Sequence, residues 1–248
     1  MGHEVIRFEN VSFSYPLGRV PFVVRQTSVG GRFLSSGGKT SVGVLEDFSL
    51  SIHSGERVAL VGRNGSGKST ILRLMAGVFQ PQRGKITIEG RVSTILNMSA
   101  GLLMRASGYE NIRLRCRLME IDNIDEVTAD VESFTELGSF LNLPLSQYSA
   151  GMRMRLAFAL ATNISPDILI MDEWVQVGDS EFKEKALARL TKLTESSSTL
   201  IVASHNKQLI AEFCNRIIAL ERGTIVRQGP VSEFPGYSTA AIQKLNED

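Results

Sequence analysis

The sequence predicts an α/β fold built on a mostly parallel sheet, and three observations predict it. A complete phosphate-loop pattern, Gly62-Arg-Asn-Gly-Ser-Gly-Lys-Ser69, stands between a short apolar run and a helix-like stretch. Strand-like and helix-like segments alternate through the last third of the chain. A block over about 105–162 has helical spacing and sits between strand-rich flanks.

Ile6 and Phe8 alternate with polar neighbours, followed by Val11, Phe13 and Tyr15, which marks strands. The Gly- and Ser-rich stretch from Gly30 to Gly38 suits an extended loop or a hairpin. Alternation resumes at Phe48, Leu50 and Ile52 and turns at Ser54-Gly55-Glu56. Arg57-Val-Ala-Leu-Val61 is short and apolar, the pattern of a buried strand. Ser69 to Ala76 reads as a helix that Gly77 stops. Ile86 and Ile88 mark another strand. In the helical block, Val127, Val131, Phe134, Leu137 and Leu141 share one face. Then come a strand over 168–171, a helix over about 180–195, a strand over 199–203, a helix over about 206–214 and a hairpin turning near Arg222-Gly223.

Composition narrows the function classes. With 248 residues, 43% hydrophobic and 21% charged, the chain has enough apolar surface for a core and is neither disordered nor fibrous. Its 27 Lys and Arg balance 26 Asp and Glu, and a net charge of +1 gives no global field for nucleic acid or a membrane surface. Cys116 and Cys214 form neither a disulfide framework nor a CxxC pair, and both are expected as buried thiols in a reducing cytosol. The N-terminus has no signal-peptide pattern, and Ile6 stands where myristoylation needs Ser or Thr. No run of about 18 apolar residues occurs, so any bilayer spanning falls to another chain.

The phosphate loop carries the chemistry. Gly62, Gly65 and Gly67 let the backbone approach phosphates, with Asn64 and Ser66 between them and N–H groups turned inward. The helix that follows adds positive potential at its N-terminus. Lys68 reaches the β- and γ-phosphates and Ser69 holds Mg²⁺, so the loop binds a nucleoside triphosphate. Chance produces this pattern in about one chain of this length in a hundred. Ile168-Leu-Ile-Met-Asp172-Glu173 is an apolar strand ending in two acids. Asp172 suits the metal-associated acid, and Glu173 stands where it can orient or deprotonate water. His205 ends another apolar strand and is expected at the same sheet edge, facing the γ-phosphate. Tyr148-Ser-Ala-Gly-Met152 precedes an amphipathic run, and on its residues alone it reads as a helix capped by Ser149.

The order of these motifs, from the phosphate loop through Ser149-x-Gly151 and Asp172-Glu173 to His205, resembles the nucleotide-binding subunit of ATP-binding cassette (ABC) transporters over nearly the whole chain. The resemblance implies an α/β phosphate-loop NTPase core of ABC type, with an antiparallel β-subdomain and an inserted helical subdomain over roughly 98–162, in one nucleotide-binding domain spanning 1–248. It implies ATP and Mg²⁺ as cofactors and Tyr15 as the aromatic that stacks on adenine. Lys68, Ser69 and Thr70 match the phosphate and metal positions, Asp172 the metal-associated acid, Glu173 the catalytic acid and His205 the switch histidine. Gly178-Asp179 matches a dimer-contact loop. Two copies would face head to tail, so that Ser149 and Gly151 of one complete the ATP site of the other. The implied partner is an integral-membrane permease, with the subunit at the cytoplasmic face of the inner membrane and no role for nucleic acid.

The segment from Leu141-Asn-Leu-Pro through Tyr148-Ser-Ala-Gly-Met-Arg-Met-Arg-Leu-Ala-Phe158 departs from the usual Leu-Ser-Gly-Gly-Gln signature. It is similar to the branch that exports lipid-linked O antigens, capsules and teichoic acids, as are Val177-Gly178-Asp179 and the long loop over 16–44. The family's usual Gln, or Glu in this branch, at the loop entering the helical subdomain is replaced by Asn97, which keeps a carbonyl acceptor for the metal on a side chain one methylene shorter, so that a water between them is an alternative to direct contact. Arg105, Arg113, Arg115 and Arg117 are expected as a solvated basic face. A C-terminal sugar-binding domain, carried by some members of the branch, is not expected. The competing readings are an ABC ATPase without a membrane partner and an ABC subunit serving another substrate.

Overall fold

The computed structural model describes residues 2–18, 32–36, 39–96, 101–163, 166–172 and 180–237. In chain order the strands and helices are β1 (Glu4–Gly18), β2 (Arg32–Ser36), β3 (Lys39–His53), β4 (Arg57–Val61), α1 (Lys68–Met75), β5 (Arg83–Ile88), β6 (Val92–Ile95), α2 (Gly108–Leu118), α3 (Ile124–Thr135), α4 (Ala150–Thr162), β7 (Ile168–Asp172), α5 (Ser180–Ser196), β8 (Thr199–Ala203), α6 (Lys207–Phe213), β9 (Arg216–Glu221) and β10 (Thr224–Pro230). They group into two compact units: Met1–Val92 with Pro166–Trp174 and Ser198–Asp248, and Ser93–Ser165 with Val175–Ser197.

The first unit carries two sheets. One is antiparallel, in the order β2-β3-β1-β5. Its long β1–β3 pair is broken by register shifts, one of them between Phe8 and Val11. There Asn10 takes a positive φ of 49°, and its N–H is satisfied by the Ser49 hydroxyl at 3.0 Å. In the other sheet the strands run β10-β9-β4-β8-β7. β4 pairs parallel with β8 on one side and β9 on the other, and β7 pairs parallel with β8. Val58, Ala59 and Leu60 are fully buried, as are Leu200 to Val202, which explains why these strands read as continuous apolar runs.

The second unit is helical. Its core joins Ile112, Cys116, Val127, Val131, Leu141, Leu145, Tyr148 and Leu156, among others. Ser107 caps α2 in a reciprocal box with Glu110, an arrangement worth about 1 kcal/mol. The helical apolar spacing runs through Leu141, but α3 stops at Thr135. Glu136 and Gly138 turn left-handed, at φ 55° and 52°, and Gly138–Asn142 continues as a tighter 3₁₀ turn. α5 belongs to this unit, with Phe182, Ala186, Leu190 and Leu193 buried along one stripe.

Candidate functional site: a phosphate loop and a capped helix

Three strand ends build the candidate phosphate site of the strand-bearing unit. Register places Leu60 of β4 beside Ala203 of β8, and Ala203 beside Asp172 of β7. Asp172 therefore stands level with the last turns of β4, two strand spacings or about 10 Å away. The phosphate loop leaves β4 at Val61, and His205 follows β8 by two residues, so all three emerge at the carboxyl edge of one parallel sheet. His205 is exposed and Asp172 half-buried. The backbone around His205 is fixed: the Asn206 N–H donates to Ser204 Oγ at 3.1 Å, and the Asn206 side chain caps α6.

Sterics dictate the glycines of the loop. Gly62 has φ 150°, and a Cβ there would lie 2.3 Å from the Leu220 carbonyl oxygen of β9. Gly67 caps α1 in a left-handed conformation, φ 104°, which turns the chain directly into the helix. Lys68 is the first helical residue. Its ammonium donates to the Gly62 carbonyl at 2.6 Å and the Arg63 carbonyl at 3.2 Å, so the charge is held within the loop. Ser66 is buried, and its hydroxyl makes no hydrogen bond among the described residues.

The β9–β10 hairpin supports the loop from below. Gly223 N–H donates to the Ser66 carbonyl at 2.9 Å. Gly223 has φ 80°, and a Cβ on it would lie 1.8 Å from the Val44 carbonyl oxygen of β3. Arg222-Gly223 is legible in the sequence as a turn, but its packing between β3 and the loop is not. Sequence reasoning missed it.

Tyr15 joins the antiparallel sheet to the loop's helix. Its hydroxyl lies 3.1 Å from the Thr70 hydroxyl, in the first turn of α1. Its ring meets Phe13 and Phe79 edge-on, at centroid distances of 5.1 and 5.6 Å. Thr70 is buried and Ser69 half-buried.

In the helical unit, Ser149 caps α4 and accepts the Met152 N–H at 3.2 Å. The Tyr148 hydroxyl donates to the Phe140 carbonyl at 2.8 Å, and Arg153 donates to the Tyr148 carbonyl, which fixes the chain just before the cap. Ser149, Ala150 and Gly151 are all exposed. A Cβ on Gly151 would meet nothing closer than Ser149 Oγ at 3.9 Å, so packing in the described residues does not require glycine there. Asn97, Glu173, Trp174 and Asp179 lie outside the described residues, as does 19–31 of the long loop.

Of the four helical-block arginines, Arg105, Arg113 and Arg117 are exposed. Arg115 is not: it is half-buried, its Nε makes no hydrogen bond among the described residues, and desolvation lowers its pKa. Of the two thiols expected to be buried, Cys116 is and Cys214 is only half-buried; desolvation still raises both, Cys214 to about 12, so neither is a thiolate near neutral pH.

A family profile described as "ABC transporter" matches residues 45–176. The chain is 41% identical over 230 residues to the O-antigen export system ATP-binding protein RfbE of Yersinia enterocolitica, covering 89% of this chain and 96% of that protein. It is 37% identical over 237 residues to the teichoic acids export ATP-binding protein TagH of Listeria innocua, covering 94% and 69%. Among solved structures, its fold matches the dimeric post-hydrolysis ATP-binding cassette MJ0796 bound to ADP and Pi, with a TM-score of 0.67 at 23% identity, over 92% of this chain and all of that one.

Proposed function

This chain belongs to the ABC transporter family, and on that premise we propose that it is the ATP-hydrolysing subunit of an exporter moving a lipid-linked cell-surface polysaccharide across the cytoplasmic membrane. The observation that carries the ATPase reading is the shared sheet edge, where the loop with the Lys68 ammonium, Asp172 and His205 emerge together. The polysaccharide class rests on the relatives, which are named as O-antigen and teichoic acid export proteins. Among the described residues no helix is long and apolar enough to cross a membrane, so the reading needs a permease partner and a peripheral place at the cytoplasmic face.

The residues take the following roles. Loop N–H groups from Gly62 to Ser69 cradle the phosphates, and Lys68 exchanges its two carbonyl acceptors for phosphate oxygens. Tyr15 stacks on the adenine and Thr70 anchors its hydroxyl. Mg²⁺ would be held by Ser69, in the first turn of α1, and Asp172, at the end of β7: one hydroxyl and one hard carboxylate that leave room for waters and phosphate oxygens suit magnesium. When bound, it neutralises charge developing on the phosphate oxygens. Asn97 would contribute to holding the metal, by way of a bridging water. Glu173 orients and deprotonates the attacking water, and His205 contacts the γ-phosphate.

Ser149 and Gly151 act on a second copy. They form an exposed helix N-terminus with one glycine that internal packing leaves free, which suits close approach of a partner's γ-phosphate. Asp179 lines the contact between copies. Two ATPs hold the dimer closed, hydrolysis removes the bridging phosphate, and opening resets the permease. Only the difference in ATP affinity between closed and open states drives that cycle.

The test is recovery of tagged Glu173→Gln protein from native membranes with ATP, followed by mass spectrometry. A multi-span membrane protein in equal amount is the expected result. Recovery of ribosomal or DNA-repair partners instead would overturn the exporter reading and leave the ATPase reading standing.

A further inference from the structure

One carboxylate in the helical unit ties three helices together. Asp130, on α3, accepts from both Nη atoms of Arg189 on α5, with Nη1–Oδ1 at 3.1 Å. The same carboxylate accepts from Asn163 Nδ2 at 2.6 Å, and Asn163 is the C-cap of α4. The Arg189 side chain is only 16% exposed, and its guanidinium lies over the Phe134 ring at 4.4 Å. Phe134 in turn stacks on Phe158 of α4 and meets Phe182 of α5 edge-on. Beside it, Lys185 of α5 pairs with Glu136, the residue that ends α3.

An exposed ion pair alone contributes little. This one differs in geometry: the fork is bidentate, its cation is mostly buried, and the acid has a third donor. The helices it joins also matter. α4 is a rod of 13 residues, about 20 Å long, with Ser149 at one end and Asn163 at the other. α5 begins at Ser180, directly after Asp179. The knot therefore holds the far end of the Ser149 rod to the helix that continues the Glu173–Asp179 segment.

We infer that Asp130 is a positioning residue: through Asn163 and Arg189 it makes the Ser149 helix and α5 move as one body, so that the two dimer-facing segments of each copy engage the partner together. The inference rests on the proposed two-copy ATP site. Asp130 is no part of the phosphate loop or of the sheet edge that carries Asp172 and His205, so nucleotide affinity of the single chain should not depend on it.

The experiment compares full-length Glu173→Gln protein with the same protein carrying Asp130→Ala or Asn163→Ala. Sedimentation velocity with Mg-ATP reads dimer formation, a fluorescent ATP analogue reads affinity, and thermal melting reads folding. Asp130→Ala should weaken ATP-driven dimerisation about tenfold, and Asn163→Ala, which keeps the ion pair, about threefold, both at unchanged analogue affinity. A merely structural role would lower the melting temperature and leave dimerisation of the folded fraction untouched. Should Asp130→Ala fail to fold, Asn163→Ala decides. Unchanged dimerisation in the variants would overturn the inference alone. Failure of the Glu173→Gln parent to dimerise with ATP would overturn the two-copy reading and this inference with it.

Discussion

The phosphate loop and the Ser149 turn are both helix starts, each proposed to meet a phosphate, yet the protein builds them differently. At the loop glycine is required from inside: Gly62 sits against the Leu220 carbonyl, Gly67 holds a φ of 104°, and Gly223, which donates to Ser66 of the loop, sits against the Val44 carbonyl. At the Ser149 turn the glycine has open space, and order comes instead from a side-chain cap and the Tyr148 and Arg153 contacts. The first half-site is shaped by its own fold. At the second, nothing among the described residues fills the space beside Gly151.

That contrast is sharpest under substitution. Gly62→Ala should cost about 3 kcal/mol of stability, because a Cβ must displace a backbone oxygen, and should abolish nucleotide binding. Chemical denaturation and a fluorescent ATP analogue would read the two effects. Gly223→Ala acts at one remove. It retains the N–H to Ser66 but strains the hairpin, so ATP affinity should fall about tenfold together with stability. Gly151→Ala should do the reverse of Gly62→Ala. A helical alanine stabilises the monomer by about 0.5 kcal/mol, yet turnover should drop, since the added methyl meets the partner's nucleotide. Loss of monomer stability in Gly151→Ala would break the comparison.

Each unit also carries one thiol, Cys214 in the strand-bearing unit and Cys116 in the helical one. ATP at about a hundred times its dissociation constant stabilises the unit that binds it by about 2.7 kcal/mol. Thiol labelling at Cys214 should slow with nucleotide in the monomer, while Cys116 should not. The smallest effect is alkaline. The Cys214 thiol is raised from 9.0 to about 12 in the folded chain, so its protonated form favours folding below pH 9. That contribution is lost as pH rises from 9 towards 12, and Cys214→Ala should flatten the decline in a denaturation series.

Much of the strand-bearing unit was legible in the sequence. Residues 62–69 stand in a fixed motif, and β4, β7 and β8 read as apolar runs because both faces are buried. From those runs the positions of Asp172 and His205 follow. What could not be read depends on chain segments far apart in sequence. Gly223 supports Ser66 across 157 residues, and Asp130 meets Arg189 across 59. The end of α3 was hidden for another reason: Leu137 and Leu141 keep helical spacing although Glu136 and Gly138 leave the helical conformation. Apolar periodicity reports burial, and a 3₁₀ turn can satisfy it too.

In the proposed dimer each ATP is held by the phosphate loop of one copy and the Ser149 turn of another. Mixing two inactive variants tests this arrangement most directly. Lys68→Ala has an impaired loop and an intact turn, and Ser149→Phe has the opposite. In a head-to-tail dimer, each mixed pair regains one complete site. Half of the dimers are mixed and each has one of two sites, so an equimolar mixture should release phosphate faster than the two variants measured separately, up to a ceiling of about a quarter of the wild-type rate. A mixture no more active than the two variants measured separately would contradict the account.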